Sequence, residues 1–443
     1  MLNPMQTQQL TLLLGMVNEI TADSISQWHQ ALVEEVRAAM SQFERLTVAA
    51  NQAALVQQMA QVFERLEHDI VKPLELPLKA LRNLVENGNL TEAQKMRLLI
   101  ELGKTHNLLT QWDTALNQFY QALDYCQDSP PEKAEILKFI GHIKSKQRNY
   151  HEAKSHYRAS MTIYSELKNL HQVAYVFISL GWNDFQSENY SGAEANYQKA
   201  LEIIRDLSDA ERLIGDVHMN MAILATVRGD FQTAIAYYEK SVQCYESISD
   251  ARGLSQVYYN MAMLSVDMKA WTRAGAYYQQ SLEYTRRHND LYLIGHIHLG
   301  RTELALQLMD LALAQASCIQ AIRVFGRLKS QSHLAETYKY AGRIRSYKKA
   351  WDKAEHFFQK SIQLAAACQS HLNQAEAHYE YGLMLMDKPD REKAKLQLHE
   401  ALKLFTQLGA EADIQKTQAI LGRLAVLNAE TTSRPRFKRI GHA

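Results

Sequence analysis

Eight alanines keep time along the chain. Ala115, Ala153, Ala193, Ala234, Ala274, Ala314, Ala354 and Ala394 are separated by 38, 40, 41, 40, 40, 40 and 40 residues. Three residues before them stand Trp112, Tyr150, Tyr190, Phe231, Trp271, Leu311, Trp351 and Arg391. Four residues after come Phe119, Tyr157, Tyr197, Tyr238, Tyr278, Cys318, Phe358 and Leu398. A repeat of this length is one supersecondary unit, too small to bury its own apolar face, so it must stack on its neighbours.

A second small residue stands twelve positions before most of these alanines, after a bulky one. The pairs are Leu102-Gly103, Ile140-Gly141, Leu180-Gly181, Met221-Ala222, Met261-Ala262, Ala341-Gly342 and Tyr381-Gly382. In the sixth repeat the pair is read as Leu299-Gly300, with two extra residues before the alanine. Small-apolar pairs follow the alanines at Ala122-Leu123, Ala200-Leu201, Ala321-Ile322 and Ala401-Leu402. Small residues at matching places let two helices approach closely, so each repeat is predicted to be a helical hairpin.

Over about residues 92–427 this pattern resembles the tetratricopeptide repeat, with its W-x2-L-G-x2-Y, A-x3-F and P signature. Three features depart from it. The period is near 40 rather than 34, the tyrosine after the glycine is replaced by residues such as His106, Lys144, Asp184 and Ala225, and most repeats lack the closing proline. Helices longer by roughly three residues, about 4.5 Å, account for the difference. This longer format is similar to the repeats of kinesin light chain, of Pins-type adaptors and of Rap-type bacterial regulators. The resemblance implies an all-α right-handed superhelix, an α-solenoid with an N-terminal helical extension. Residues 1–90 form a helical bundle or cap, 91–409 eight hairpins, 410–428 a capping helix around Leu421-Gly422, and 429–443 a basic flexible tail.

Composition narrows the function. Only seven prolines and 18 glycines interrupt the 443 residues, as continuous helices require, and the formal charge of +1 provides no global field for nucleic acid or membrane. Cys126, Cys244, Cys318 and Cys368 lie far apart, without metal-ligand spacing, and read as packed thiols in a reducing, cytoplasmic setting. No run approaches 18 apolar residues, and no basic region precedes Leu10 to Val17. No phosphate loop, nucleophile elbow or H-E-x-x-H is present, so the expected protein is neither an enzyme nor a cofactor or metal carrier. His296 and His298 lie two apart, about 200° round a helix, and cannot share a metal.

The N-terminal segment repeats its apolar residues at helical spacing over Leu10 to Ile20, Trp28 to Leu46 and Ala53 to Ile70, before Pro73 and Pro77. It is either a cap on the first repeat or an output module, as in Rap-type regulators. The tail gathers Arg434, Arg436, Lys438 and Arg439, a solvated end or a contact for an acidic partner or RNA.

In the family, residues six and three before and one and four after the small residue line the concave groove. Carried onto this chain, those offsets select Tyr175, Ile178, Trp182 and Phe185, then Asp216, Met219, Ile223 and Thr226, then Gln256, Tyr259, Met263 and Val266. These give an apolar, aromatic floor, unless Trp182 and Phe185 pack between helices instead. Lys138 and His142, with Arg97, Lys104 and Lys146, make the first repeats basic. Arg301, Lys339 and Arg343, beside Glu336, Glu376 and Glu380, serve the sixth and seventh. Asn220 and Asn260 stand two before the small residue, one repeat apart, where an amide can donate to and accept from a peptide main chain. The expected role is a scaffold or adaptor holding an extended peptide. The alternative is a ligand-gated regulator whose N-terminal helices act on a target. Oligomeric state is left open.

Overall fold

The computed structural model describes residues 91–108, 111–126, 129–288 and 290–432. The N-terminal segment through residue 90 and the basic tail beyond 432 lie outside the described residues. Seventeen α-helices, and no strand, are found among those described, making an all-α solenoid of paired helices.

Packing divides the chain between Asp290 and Leu291. The short polar links of the sequence had predicted one undivided array. The first unit contains α1 (Glu92–Leu108), α2 (Trp112–Asp124), α3 (Pro130–Lys146), α4 (Tyr150–Glu166), α5 (Leu170–Gln186), α6 (Tyr190–Ile204), α7 (Glu211–Val227), α8 (Phe231–Ser247), α9 (Ala251–Asp267) and α10 (Trp271–His288). The second contains α11 (Leu291–Gln307), α12 (Leu311–Arg327), α13 (Gln331–Tyr347), α14 (Trp351–Ala367), α15 (His371–Asp387), α16 (Arg391–Leu408) and α17 (Glu411–Thr432). The final helix runs four residues beyond its expected end at 428.

Six of the eight hairpins pair a small residue with a ring, as a lock; the sixth has Cys318 in the ring's place, and in the eighth Gly382 meets Leu398. A Cβ at Gly181 would lie 2.4 Å from the Tyr197 ring, and one at Gly342 would lie 2.7 Å from Phe358. Phe119, Tyr157, Tyr197 and Phe358 are fully buried against their glycines, each worth roughly 1.5–3 kcal/mol of apolar burial. A second lock places Tyr245 against both Gly215 of its own hairpin and Gly253 of the next, joining successive hairpins. Where the small residue of the second helix is serine, it adds a hydrogen bond across the pair. Ser160, Ser241, Ser281 and Ser361 donate to the carbonyls of Ala134, Gly215, Ser255 and Ala335 at 2.6–2.9 Å.

The corners are economical because one residue ends a helix and begins the next. The N–H groups of Asn169, Asn189, Asp230 and Asp310 reach back to the carbonyls of Tyr164, Asp184, Ala225 and Ala305. Their side chains then accept from the N–H groups of Gln172, Gly192, Thr233 and Leu313 in the following helix. Such a cap contributes about 1 kcal/mol. The preceding residue takes the left-handed conformation, as at Lys168 (φ 54°), Glu188 (φ 62°) and Met309 (φ 57°).

The first helices of all eight hairpins are 17 residues long, and the small residue is the twelfth of each. This common frame corrects the sixth repeat. The twelfth residue of α11 is Thr302, fully buried, not Gly300, so this repeat has no insertion. Opposite Thr302 in the repeat, the ring is replaced by the smaller Cys318.

Candidate functional site

Within the first unit, the first helices α3, α5, α7 and α9 touch one another in succession, forming an inner layer; the second helices make no comparable contacts. The chosen offsets recur along this row of helices. Asn220 and Asn260 are half-buried there, and neither amide has a hydrogen-bond partner among the described residues. Met219, Ile223 and Tyr259 are half-buried around them, while Trp182 and Met263 are 37% and 46% exposed. Trp182 stacks on Phe185 at 5.2 Å, and Phe185 in turn leans on Tyr190 at 5.8 Å. Phe185 packs against the core, while Trp182 is partly exposed.

Ile178, at the same offset as Met219 and Tyr259, is more deeply buried than they are, in the cluster containing Ala174, Tyr197 and Val217. His142 is enclosed rather than charged. Tyr157 Oη lies 3.0 Å from its Nδ1, and the Phe139, Tyr157 and Tyr175 rings surround it. Burial, then the neighbouring Lys138 and Lys146 ammonium groups, push its pKa down to about 3, leaving a neutral imidazole.

Lys138 carries the charge of this end. Its ammonium lies 4.9 Å from the centre of the Tyr175 ring and donates to Gln172 Oε1 at 2.9 Å, without an ion pair among the described residues. Burial lowers its pKa, only partly opposed by Glu135. Lys104, by contrast, is already paired with Glu101 and Glu135 at 3.0 and 2.9 Å. Asp216, on α7, accepts a hydrogen bond from Tyr245 Oη at 2.6 Å, and burial raises its carboxyl above the usual range.

Arg301 and Arg343 belong to the second unit. With Thr302 as the frame, Arg301 precedes the small residue by one place, and the residue one place after it is Glu303. Arg343 keeps its assigned place but is engaged by Glu380, with Nε–Oε2 at 3.4 Å. The sequence reading missed Glu303 because a neighbouring glycine offered a false register. It also missed the phenol partners, Tyr157 for His142 and Tyr245 for Asp216, for which only three-dimensional packing provides the signal.

Two cysteines, Cys126 and Cys318, are buried as expected and their thiols are raised to about 11 and about 12 by burial, whereas Cys244 and Cys368 are half-buried. Among the described residues, no group of three or more His, Cys, Asp or Glu is placed to hold a metal. None of the described helices is long and apolar enough to cross a membrane.

Consecutive helical hairpins stacked in this way define an α-solenoid. Residues 132–206 and 213–287 match the tetratricopeptide repeat family, and these hairpins are tetratricopeptide repeats. No curated protein sequence matches the chain. Among solved structures, a signal-transduction ATPase with a tetratricopeptide repeat sensor from Pyrococcus horikoshii has a TM-score of 0.57 and 16% identity, over 76% of this chain and 53% of that one. A Rap protein complexed with Competence and Sporulation Factor has a TM-score of 0.51 and 15% identity, over 82% and 99%. A Rap conjugation gene regulator complexed with the Phr* peptide has 0.50 and 13%, over 82% and 96%. At these identities the likeness concerns the fold.

Proposed function

We propose that the first unit is a binding module for an extended peptide segment, held on the inner face of α3, α5, α7 and α9. The observation that carries this reading is the pair of unpartnered amides, Asn220 and Asn260, at the same place in adjacent repeats. A half-buried amide without a partner loses part of its hydration for nothing, unless a ligand main chain completes it. Met219, Ile223, Tyr259, Met263 and the Trp182–Phe185 stack offer apolar contact on either side. Lys138 offers an uncompensated charge to an acidic end of the ligand. Binding, rather than catalysis, is the role for which this face has the chemistry.

Capture of partners from native lysate by the full chain, followed by calorimetry with the peptide segment recovered, tests the reading. Asn220→Ala with Asn260→Ala is expected to weaken binding by at least about tenfold, the loss of one or two good hydrogen bonds. A segment retained with unchanged affinity by the double variant sinks the clamp.

A regulator whose output depends on the bound peptide is the second reading, favoured by the two Rap proteins whose structures contain a bound signal factor or peptide. Deleting residues 1–85 separates the two. A scaffold retains its ligand and its output, whereas a regulator retains the ligand and loses the effect.

A further inference from the structure

A pocket of about 320 Å³ opens within the second unit, between α11, α13, α15, α16 and α17. That volume lies at the lower end of the range for ligand sites, ~300–1,000 Å³, leaving room for one long side chain or a small amine. Its cations are already engaged. Lys339 pairs with Glu376, Arg343 with Glu380, and Lys416 Nζ lies 3.1 Å from Asp413 Oδ1. The remaining carboxylate of the wall is Glu303, and it has neither an ion pair nor a hydrogen bond among the described residues.

The pocket is therefore not a generic acidic patch but a nearly balanced enclosure lacking one positive charge. Aromatic surface lines the same space, from Tyr340 and Tyr379. Lys339 and Arg343 already lie 4.9 and 5.8 Å from the centre of the Tyr340 ring, so the wall is suited to cations that carry apolar stems. A bare metal ion is a poor match, since no metal-holding cluster occurs among the described residues. Burial raises the carboxyls of Glu336, beside this wall, and of Glu380 within it, against the pull of Lys339 and Arg343.

We propose that this pocket receives one organic cation of side-chain size, a guanidinium or alkylammonium group, with Glu303 taking its charge and Tyr340 and Tyr379 flanking its stem. A planar guanidinium suits both demands, pairing with a carboxylate through two N–H groups and stacking on a ring. The cation is either a basic side chain of a bound polypeptide or a free small amine. The inference does not depend on peptide binding by the first unit, because every residue invoked belongs to the second.

Saturation-transfer NMR on the full chain, titrating N-acetyl-arginine amide, agmatine and the neutral isostere N-acetyl-citrulline amide, provides the test. Saturable binding of a cation is expected, with the citrulline compound weaker by at least about tenfold. Glu303→Gln should weaken the cation by a similar factor while leaving the circular dichroism spectrum and melting temperature unchanged. Preference for the arginine amide identifies a chain-borne side chain as the source, and preference for agmatine a free amine. Equal binding of the citrulline compound, absence of saturable binding, or indifference to Glu303→Gln overturns the proposal. Should that variant fail to fold, Tyr379→Leu takes its place, with the same weakening expected, and the citrulline comparison on the unaltered chain remains decisive.

Discussion

The fourth and fifth hairpins place Met219, Asn220 and Ile223, and Tyr259, Asn260 and Met263, at three positions around the small residue. At those positions the seventh and eighth hairpins carry Lys339, Tyr340 and Arg343, and Tyr379, Glu380 and Leu383. Helix length, lock and corner are shared, yet the two faces differ in kind. In the first unit the amides stand without partners and apolar side chains are exposed. In the second, charge meets charge inside the chain, and one carboxylate is left over. A repeat thus separates two tasks: the locked positions build the hairpin, and the inner positions are free to choose a chemistry.

Removing the ring of a lock is expected to have the largest effect, and an equal one in both units. Tyr197→Ala in the first and Phe358→Ala in the second should each cost about 3–5 kcal/mol in urea denaturation. A loss below about 1 kcal/mol in either would show that the lock is not common to both. Next comes deletion of an ion pair on the inner face of the second unit. Lys339→Met leaves Glu376 unpaired, and since that carboxylate is 37% exposed, water recovers part of the loss and about 1–2 kcal/mol remains. Adding Glu376→Leu should restore most of it.

Acid should separate the faces by sign. The folded pKa of His142 lies at about 3, below its ordinary 6.5, so between these values the unfolded chain binds the additional proton and stability falls as pH drops. His142→Gln, which retains an acceptor for Tyr157, should remove about 0.7 kcal/mol of the loss between pH 7 and pH 6. Glu336 is raised by burial above 4.5, so the native state holds its proton more tightly and Glu336→Gln should remove a contribution of opposite sign. Parallel pH profiles for the two variants would break the contrast. The smallest effect belongs to Asn220→Ala with Asn260→Ala in the absence of ligand, within about 0.5 kcal/mol, because no intramolecular bond is lost. A larger loss in thermal unfolding would make these asparagines structural.

The hairpin was legible in the sequence because its lock depends on size alone, and size is visible in a residue's identity. Gly181 facing Tyr197, and Gly342 facing Phe358, follow directly from the spacing. The sixth repeat was misread for the same reason: Gly300 looked like the small residue, while Thr302, two places on, occupies that position opposite a reduced partner, Cys318. The serine cross-links escaped notice because Ser160, Ser241, Ser281 and Ser361 replace alanine at a site read only for its volume. Charge was less legible than size. Nothing in the spacing of His142 announces the three rings that keep it neutral, and nothing in Arg343 announces Glu380, since both depend on what the next helix brings near.

The left-handed corners suggest where the molecule tolerates redesign. Ten non-glycine residues there, among them Arg148, Lys168, Lys269, Lys349 and Gln369, hold φ between 50° and 63°, a conformation that is awkward for any side chain with a Cβ. Glycine already occupies that place at Gly229 and Gly409. Installing it at the other corners would relax them one by one, at a distance from the inner faces. The array therefore contains a set of independent adjusting screws for its rigidity.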